Sequence, residues 1–149
     1  MRRPPNPALS LATAAAGCTM HWGPRADRVR DLVPPTGVVL DLVLRAPDDG
    51  RRELSGELLE VRDDGLLLLS DELVLVPYTA LVDIEPHKHP LNTRRYAGQE
   101  TEVYAQSLKP ASRHPFGMHP GALAHMLEAM HQTEVKRVAS DAAREAYDT

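Results

Sequence analysis

Cysteine is all but missing from this chain of 149 residues, with Cys18 as its single copy. An intramolecular disulfide framework is therefore excluded, and cysteine-rich zinc fingers go with it. Long apolar runs are missing too: nothing approaches the ~18–20 residues that a membrane-spanning helix needs. There is no excess of positive charge, since 17 Lys and Arg face 21 Asp and Glu for a net charge of −4. That balance argues against a nucleic-acid footprint over the whole chain. The nine glycines are scattered, so no Gly-rich phosphate loop is present, and Gly-x-Ser-x-Gly and His-Glu-x-x-His are both absent. What is present fits one small domain with extensions.

The cysteine has a telling position. Arg2 and Arg3 open the chain, an uncharged Ala- and Leu-rich segment runs from Ala8 to Ala16, and Ala15-Ala16-Gly17 leads directly into Cys18. A basic start, an apolar centre and small residues before a cut are the parts of a secretory signal. On these residues the leader resembles that of bacterial lipoproteins, whose lipobox has the form Leu-(Ala/Ser)-(Gly/Ala)-Cys; here Ala15 stands where Leu is usual. The resemblance implies that residues 1–17 are removed and that the nucleophilic Cys18 thiol becomes the lipid attachment point. It also implies a membrane-anchored cell-envelope location. A plain secretory signal or a cytosolic tail are the alternatives.

Residues 18–35 read as a tether and a short helix, with Val29, Leu32 and Val33 spaced i, i+3, i+4 and Pro34-Pro35 ending it. From Gly37 the period changes to two. Val38, Leu40, Leu42 and Leu44 alternate with Val39, Asp41, Val43 and Arg45, and Pro47-Asp48-Asp49-Gly50 supplies a turn. Arg51 to Arg62 is long enough for a bent strand, and a bulge at Gly56 is expected because the apolar parity flips across it. Asp63-Asp64-Gly65 makes a turn, Leu66–Leu69 and Leu73–Val76 are strands, Tyr78–Leu81 is one tight helical turn, and Val82-Asp83-Ile84 resumes alternation. Five strands over 36–85, with a long bent second strand and a single helical turn before the fifth, resemble the SH3-like barrels and among them the Sm-like branch. The expected fold is thus mainly β with flanking helices. In detail it is a small five-stranded SH3-like barrel plus a C-terminal amphipathic helix.

The Sm-like resemblance implies RNA contacts only where its signatures stand. An Asn is expected after the second turn and an Arg-Gly pair before the fifth strand, but the chain reads Asp63-Asp64-Gly65-Leu66 and Val76-Pro77-Tyr78. Residues 24–85 hold seven Arg and no Lys against fourteen acidic residues, a net charge of −7. Such a surface repels phosphate, so nucleic acid is not expected as a partner. The Val76-Pro77-Tyr78 passage also resembles PRC-type barrels, which are interaction modules.

Two strands are apolar on both faces, so an outward set drawn from Leu67, Leu69, Val74 and Val76 needs a cover. Either the C-terminal region supplies it, or another subunit does so through strand edges. Residues 86–149 read as a His- and Pro-rich connection, then a helix near 120–132, then a frayed tail. Thr101 to Leu108 is open between strand and helix, and Phe116-Gly117-Met118 is the apolar anchor of a loop. Leu123, Met126, Leu127 and Met130 at i, i+3, i+4, i+7 form one stripe suited to packing on the β-domain.

Six of the seven histidines follow residue 86. His87, His89, His114 and His119 are the candidates for a labile metal site, but they lack the helical i, i+4 pair that fixes zinc geometry, and surface histidines are the simpler reading. Paired acids such as Asp48-Asp49 and Asp63-Asp64 lie in turns, where Asp serves the backbone. No catalytic residue and no cofactor is assigned. The expectation is a non-catalytic envelope binding or scaffolding module whose protein or envelope partner is unnamed. A cytosolic Sm-like oligomer with RNA contact is the alternative, and an unrecognised enzyme or labile metal-binding protein comes third.

Overall fold

The computed structural model describes residues 36–139. The leader, Cys18, the helix expected before Pro34 and the chain after Ala139 lie outside the described residues. Within them the strands are β1 (Val39–Arg45), β2 (Arg51–Val61), β3 (Gly65–Leu69), β4 (Leu73–Pro77), β5 (Leu81–Pro86) and β6 (Lys136–Arg137). The helices are α1 (Thr101–Ser107) and α2 (Pro120–Ala129). The protein is mainly β, with one six-stranded sheet ordered β5-β1-β2-β3-β4-β6. Every pairing is antiparallel except β4 with β6.

Period-two patterning becomes a two-sided sheet. In β1 the residues Leu40, Leu42 and Leu44 are buried while Val39, Asp41 and Arg45 are exposed. A first apolar cluster joins these leucines to Leu58, Leu66, Leu68, Val74, Val76 and Ile84, and α1 closes it with Tyr104, Ala105 and Leu108. On the opposite side Leu59, Leu67 and Leu73 are each fully buried, beneath the α2 stripe of Leu123, Met126, Leu127 and Met130 together with Met118 and Val135. The chain's own C-terminal helix therefore covers the outward leucines of β3. The antiparallel register pairs Leu66 with Val76 and Leu68 with Val74. Leu67 and Leu69 consequently lie in one layer and Val74 and Val76 in the other, so these four do not form a single outward set.

Four details depart from the sequence reading. The described strands form one open mixed sheet of six where five were expected, with β5 pairing β1 and β4 pairing β6. The sixth strand comes from the tail expected to fray. The Gln132 carboxamide engages both backbone groups of Leu73, accepting from its N–H at 2.6 Å and donating to its C=O at 3.2 Å. That clamp lays Lys136 and Arg137 beside Val74 and Leu75. The register shift in β2 falls between Leu58 and Glu60, not at Gly56. An extra residue there shifts the alternation by one, so that Leu54 and Leu58 before it and Val61 after it all face the first cluster while Leu59 faces the second. Finally, the loop anchor is Met118 alone, because Phe116 is 96% exposed at a turn closed by Gly117 N–H to His114 C=O; of the two readings open for Thr101–Ser107, the helix is the one found.

Tyr78, in the helical turn before β5, is buried and donates its hydroxyl to the Arg62 carbonyl at 2.6 Å. Burial, foremost, with nearby Glu102, Asp63 and Asp64, pushes the phenol up to about 12. The unfolded chain therefore gives up this proton near its ordinary value of about 10 while the folded chain keeps it. Stability is complete below pH ~10 and falls by about 2 kcal/mol as the pH rises towards 12. Tyr78→Phe is expected to cost about 1 kcal/mol at neutral pH and to lack that alkaline loss. Urea titrations at a series of pH values check both, and parallel alkaline losses in the two proteins refute the assignment.

Candidate functional site

The exposed face of β5, β1 and β2 gathers the charge that the sequence carries. Alternation points Asp41 and Val43 of β1 outwards. Register then sets Asp41 between Glu85 of β5 and Ser55 of β2, and Val43 between Asp83 and Glu53. Four carboxylates thus ring a half-buried valine, lining a groove of about 480 Å³ whose floor includes Leu42, Leu54 and Ile84. Like charges opposite one another across strands destabilise a sheet by a few tenths of a kcal/mol or more, roughly 0.2–1. The chain offsets part of this. His87 Nε2–H donates to Asp41 at 2.7 Å, and Arg95 donates to Asp83 at 2.9 Å. Glu53 and Glu85 have no ion-pair partner among the described residues.

A hydrogen bond from Ser55, foremost, and one from His87 hold the Asp41 carboxyl below the usual carboxylate range. Its charge therefore persists further into acid. Ser55, Asp41 and His87 are a serine, an acid and a histidine in contact, but the carboxylate sits in the middle. A nucleophilic relay needs the imidazole between hydroxyl and acid to take the hydroxyl proton. This arrangement instead holds the Asp41 carboxylate between two donors.

Beside the acidic groove lies a second, open cavity of about 550 Å³ built by the connection after β5, lined by residues 84–95 and Tyr104. Arg95 organises that connection. Its guanidinium donates to Asp83, to the Gln99 carbonyl and to Thr101 Oγ1, and lies 5.4 Å from the centre of the Tyr104 ring. Tyr104 in turn donates its hydroxyl to the Thr93 carbonyl at 2.6 Å. Burial, foremost, raises the Tyr104 phenol, and Arg95 acts against it. With Arg95 occupied in this way, Lys88 and Arg94 are the exposed cations of the rim.

The four candidate metal histidines are put to separate uses. His87 bonds Asp41, His89 Nδ1 accepts from Leu91 N–H at 3.2 Å, and His119 Nδ1 caps α2 by accepting from Gly121 N–H at 3.0 Å. His114 is tied by its backbone N–H to the Leu59 carbonyl at 2.8 Å, and its Nε2 is buried without a partner. Among the described residues no group of three or more His, Cys, Asp or Glu is placed to hold a metal ion. Of the packing residues, Leu67, Leu69, Leu123, Met126, Leu127 and Met130 meet in one cluster, and Val74 and Val76 belong to the other.

The proximity of Glu53, Asp83 and Glu85 depends on cross-strand register, which local sequence pattern does not display. The signal available was the net charge of −7 over residues 24–85, together with the outward parity of Asp41. No helix among the described residues is long and apolar enough to cross a membrane. Comparison with family models, curated proteins and solved structures finds no match.

Proposed function

We propose that this chain is a non-catalytic binding or scaffolding module of the bacterial cell envelope, lipid-anchored through Cys18, that takes a basic protein segment on the face of β5, β1 and β2. The observation that carries the binding role is the ring of Asp41, Glu53, Asp83 and Glu85 around Val43, two of whose carboxylates have no internal cation among the described residues. Carboxylates on a rigid sheet with an apolar centre suit Arg or Lys side chains, whose charged heads pair while their methylene stems pack. The same field disfavours phosphate, which sets RNA aside. The strand order β5-β1-β2-β3-β4 with a helical turn before β5 supports an SH3-like reading of the β-domain. The envelope location is supported by Ala15-Ala16-Gly17-Cys18 and by the lack of any other cysteine.

Titration of the full chain with a short arginine-rich peptide tests the binding role. Binding is expected to weaken with added salt and to fall by at least about tenfold in Glu53→Lys/Glu85→Lys. A peptide that does not bind, or an RNA oligonucleotide that binds more tightly, overturns this role. The anchor is tested by fractionating cells that express the wild type or Cys18→Ser, with and without globomycin. A wild-type protein found wholly in the soluble cytoplasmic fraction overturns the anchor.

A further inference from the structure

The acidic groove and the basic rim lie side by side, since both cavities are lined by Ile84 and Glu85. On one side are Asp41, Glu53, Asp83 and Glu85. On the other are the exposed Lys88 and Arg94, which line the second cavity together with His87 and His89. A surface that is negative on one half and positive on the other complements itself after a rotation of 180°. Residue i of one copy then meets residue j of the next, and j meets i, which is how a two-fold interface is built.

We infer that the occupant of this face is a second copy of the same chain, arranged so that Lys88 and Arg94 of each protomer enter the acidic groove of the other. This rests on the proposed protein-binding role of the face and adds the identity of the partner. Charge complementarity favours that partner over a lipid surface, because anionic headgroups would meet four carboxylates. The apolar centre agrees, since Val39 and Val43 are incompletely buried on a face otherwise made of charged and polar groups. Their exposure is relieved when a second sheet face lies over them. The attraction is electrostatic and peripheral, so association is expected to be reversible and sensitive to salt, about tenfold or more weaker at roughly 500 mM than at roughly 50 mM ionic strength.

A charge exchange tests the pairing on the full chain by sedimentation velocity. In the acid-side variant, Glu53→Lys/Glu85→Lys, the two groove charges without an internal partner become positive and face a positive rim. In the base-side variant, Lys88→Glu/Arg94→Glu, both are negative. Each alone is expected to sediment as a monomer at low salt where the wild type forms dimers. An equimolar mixture of the two is expected to recover the dimer, because both contacts are then between opposite charges. All four positions are exposed, so melting temperatures close to wild type confirm that folding is intact. A wild type that is monomeric at low salt overturns the inference, and so does a mixture that fails to associate while the wild type dimerises. A monomeric wild type that still binds the arginine-rich peptide leaves the binding face standing without a second copy. A wild type that does neither removes both.

Discussion

Gly37→Ala is expected to destabilise the fold by more than about 3 kcal/mol, which for a domain with a total stability of roughly 5–15 kcal/mol leaves a large unfolded fraction. The reason is space, not backbone angle. A Cβ on Gly37 would lie 1.9 Å from the Leu58 carbonyl oxygen and 2.8 Å from the Arg113 nitrogen. Both atoms are fixed. The Leu58 carbonyl accepts from Arg113 N–H at 3.0 Å, Leu58 N–H donates to the Val38 carbonyl at 2.8 Å, and Val38 N–H donates to the Ala111 carbonyl at 2.8 Å. An added methyl cannot be met by rotating a side chain. It must separate the start of β1 from the bend of β2 or from the segment between α1 and α2. Gly50→Ala is the control: its Cβ would meet Ala46 Cβ at 3.6 Å and its backbone is extended, so the change is expected to stay within about 0.5 kcal/mol. Urea unfolding of the two variants beside the wild type measures both effects, and equal midpoints for all three refute the crowding argument.

The same junction shows which parts of the fold local pattern could reveal. Alternation in Val39–Arg45 and the turn residues Asp63-Asp64-Gly65 specify strands and their ends through neighbouring residues only, and both are found. The stripe Leu123, Met126, Leu127, Met130 needs one apolar surface to cover, and Leu59, Leu67 and Leu73 provide it. Other features are fixed by residues far apart in sequence. The bulge sits near Leu59 because Leu54, Leu58 and Val61 all face the first cluster, so the alternation has to shift between Leu58 and Val61, a choice that glycine content does not encode. Strand β6 depends on a carboxamide at Gln132 reaching Leu73. The acidic ring exists only once β1 is placed between β2 and β5 in a particular register, so Asp41 could be read as outward-facing while its neighbours Glu53, Asp83 and Glu85 could not be read as adjacent.

Glu57 and Arg113 are expected to be the most strongly coupled ion pair among the described residues. The Glu57 carboxylate accepts from Gly37 N–H at 2.6 Å, from Arg113 Nε–H at 2.8 Å and from a second Arg113 nitrogen, so both oxygens are engaged by a two-pronged guanidinium. Their side chains are 15% and 27% exposed, against 48% and 59% for the Glu72–Lys136 pair. Partial burial makes loss of one partner costly, because the other charge remains out of water unpaired. Glu57→Ala strands the guanidinium and the Gly37 N–H together and is expected to cost about 2–4 kcal/mol. Arg113→Ala leaves the carboxylate still holding Gly37 N–H and is expected to cost less, about 1–2 kcal/mol. The double variant removes both charges, so its loss is expected to fall short of the summed single losses by about 1–2 kcal/mol. For Glu72 and Lys136 the same cycle is expected to give no more than about 0.5 kcal/mol and to vanish in high salt, as exposed pairs do. Urea unfolding of the four proteins in each cycle, at low and high salt, decides the matter. A Glu57–Arg113 coupling that is near zero, or that salt abolishes, would show that the segment between α1 and α2 is held to β2 by its backbone hydrogen bonds to Leu58 and Leu59 and by apolar packing, not by this ion pair.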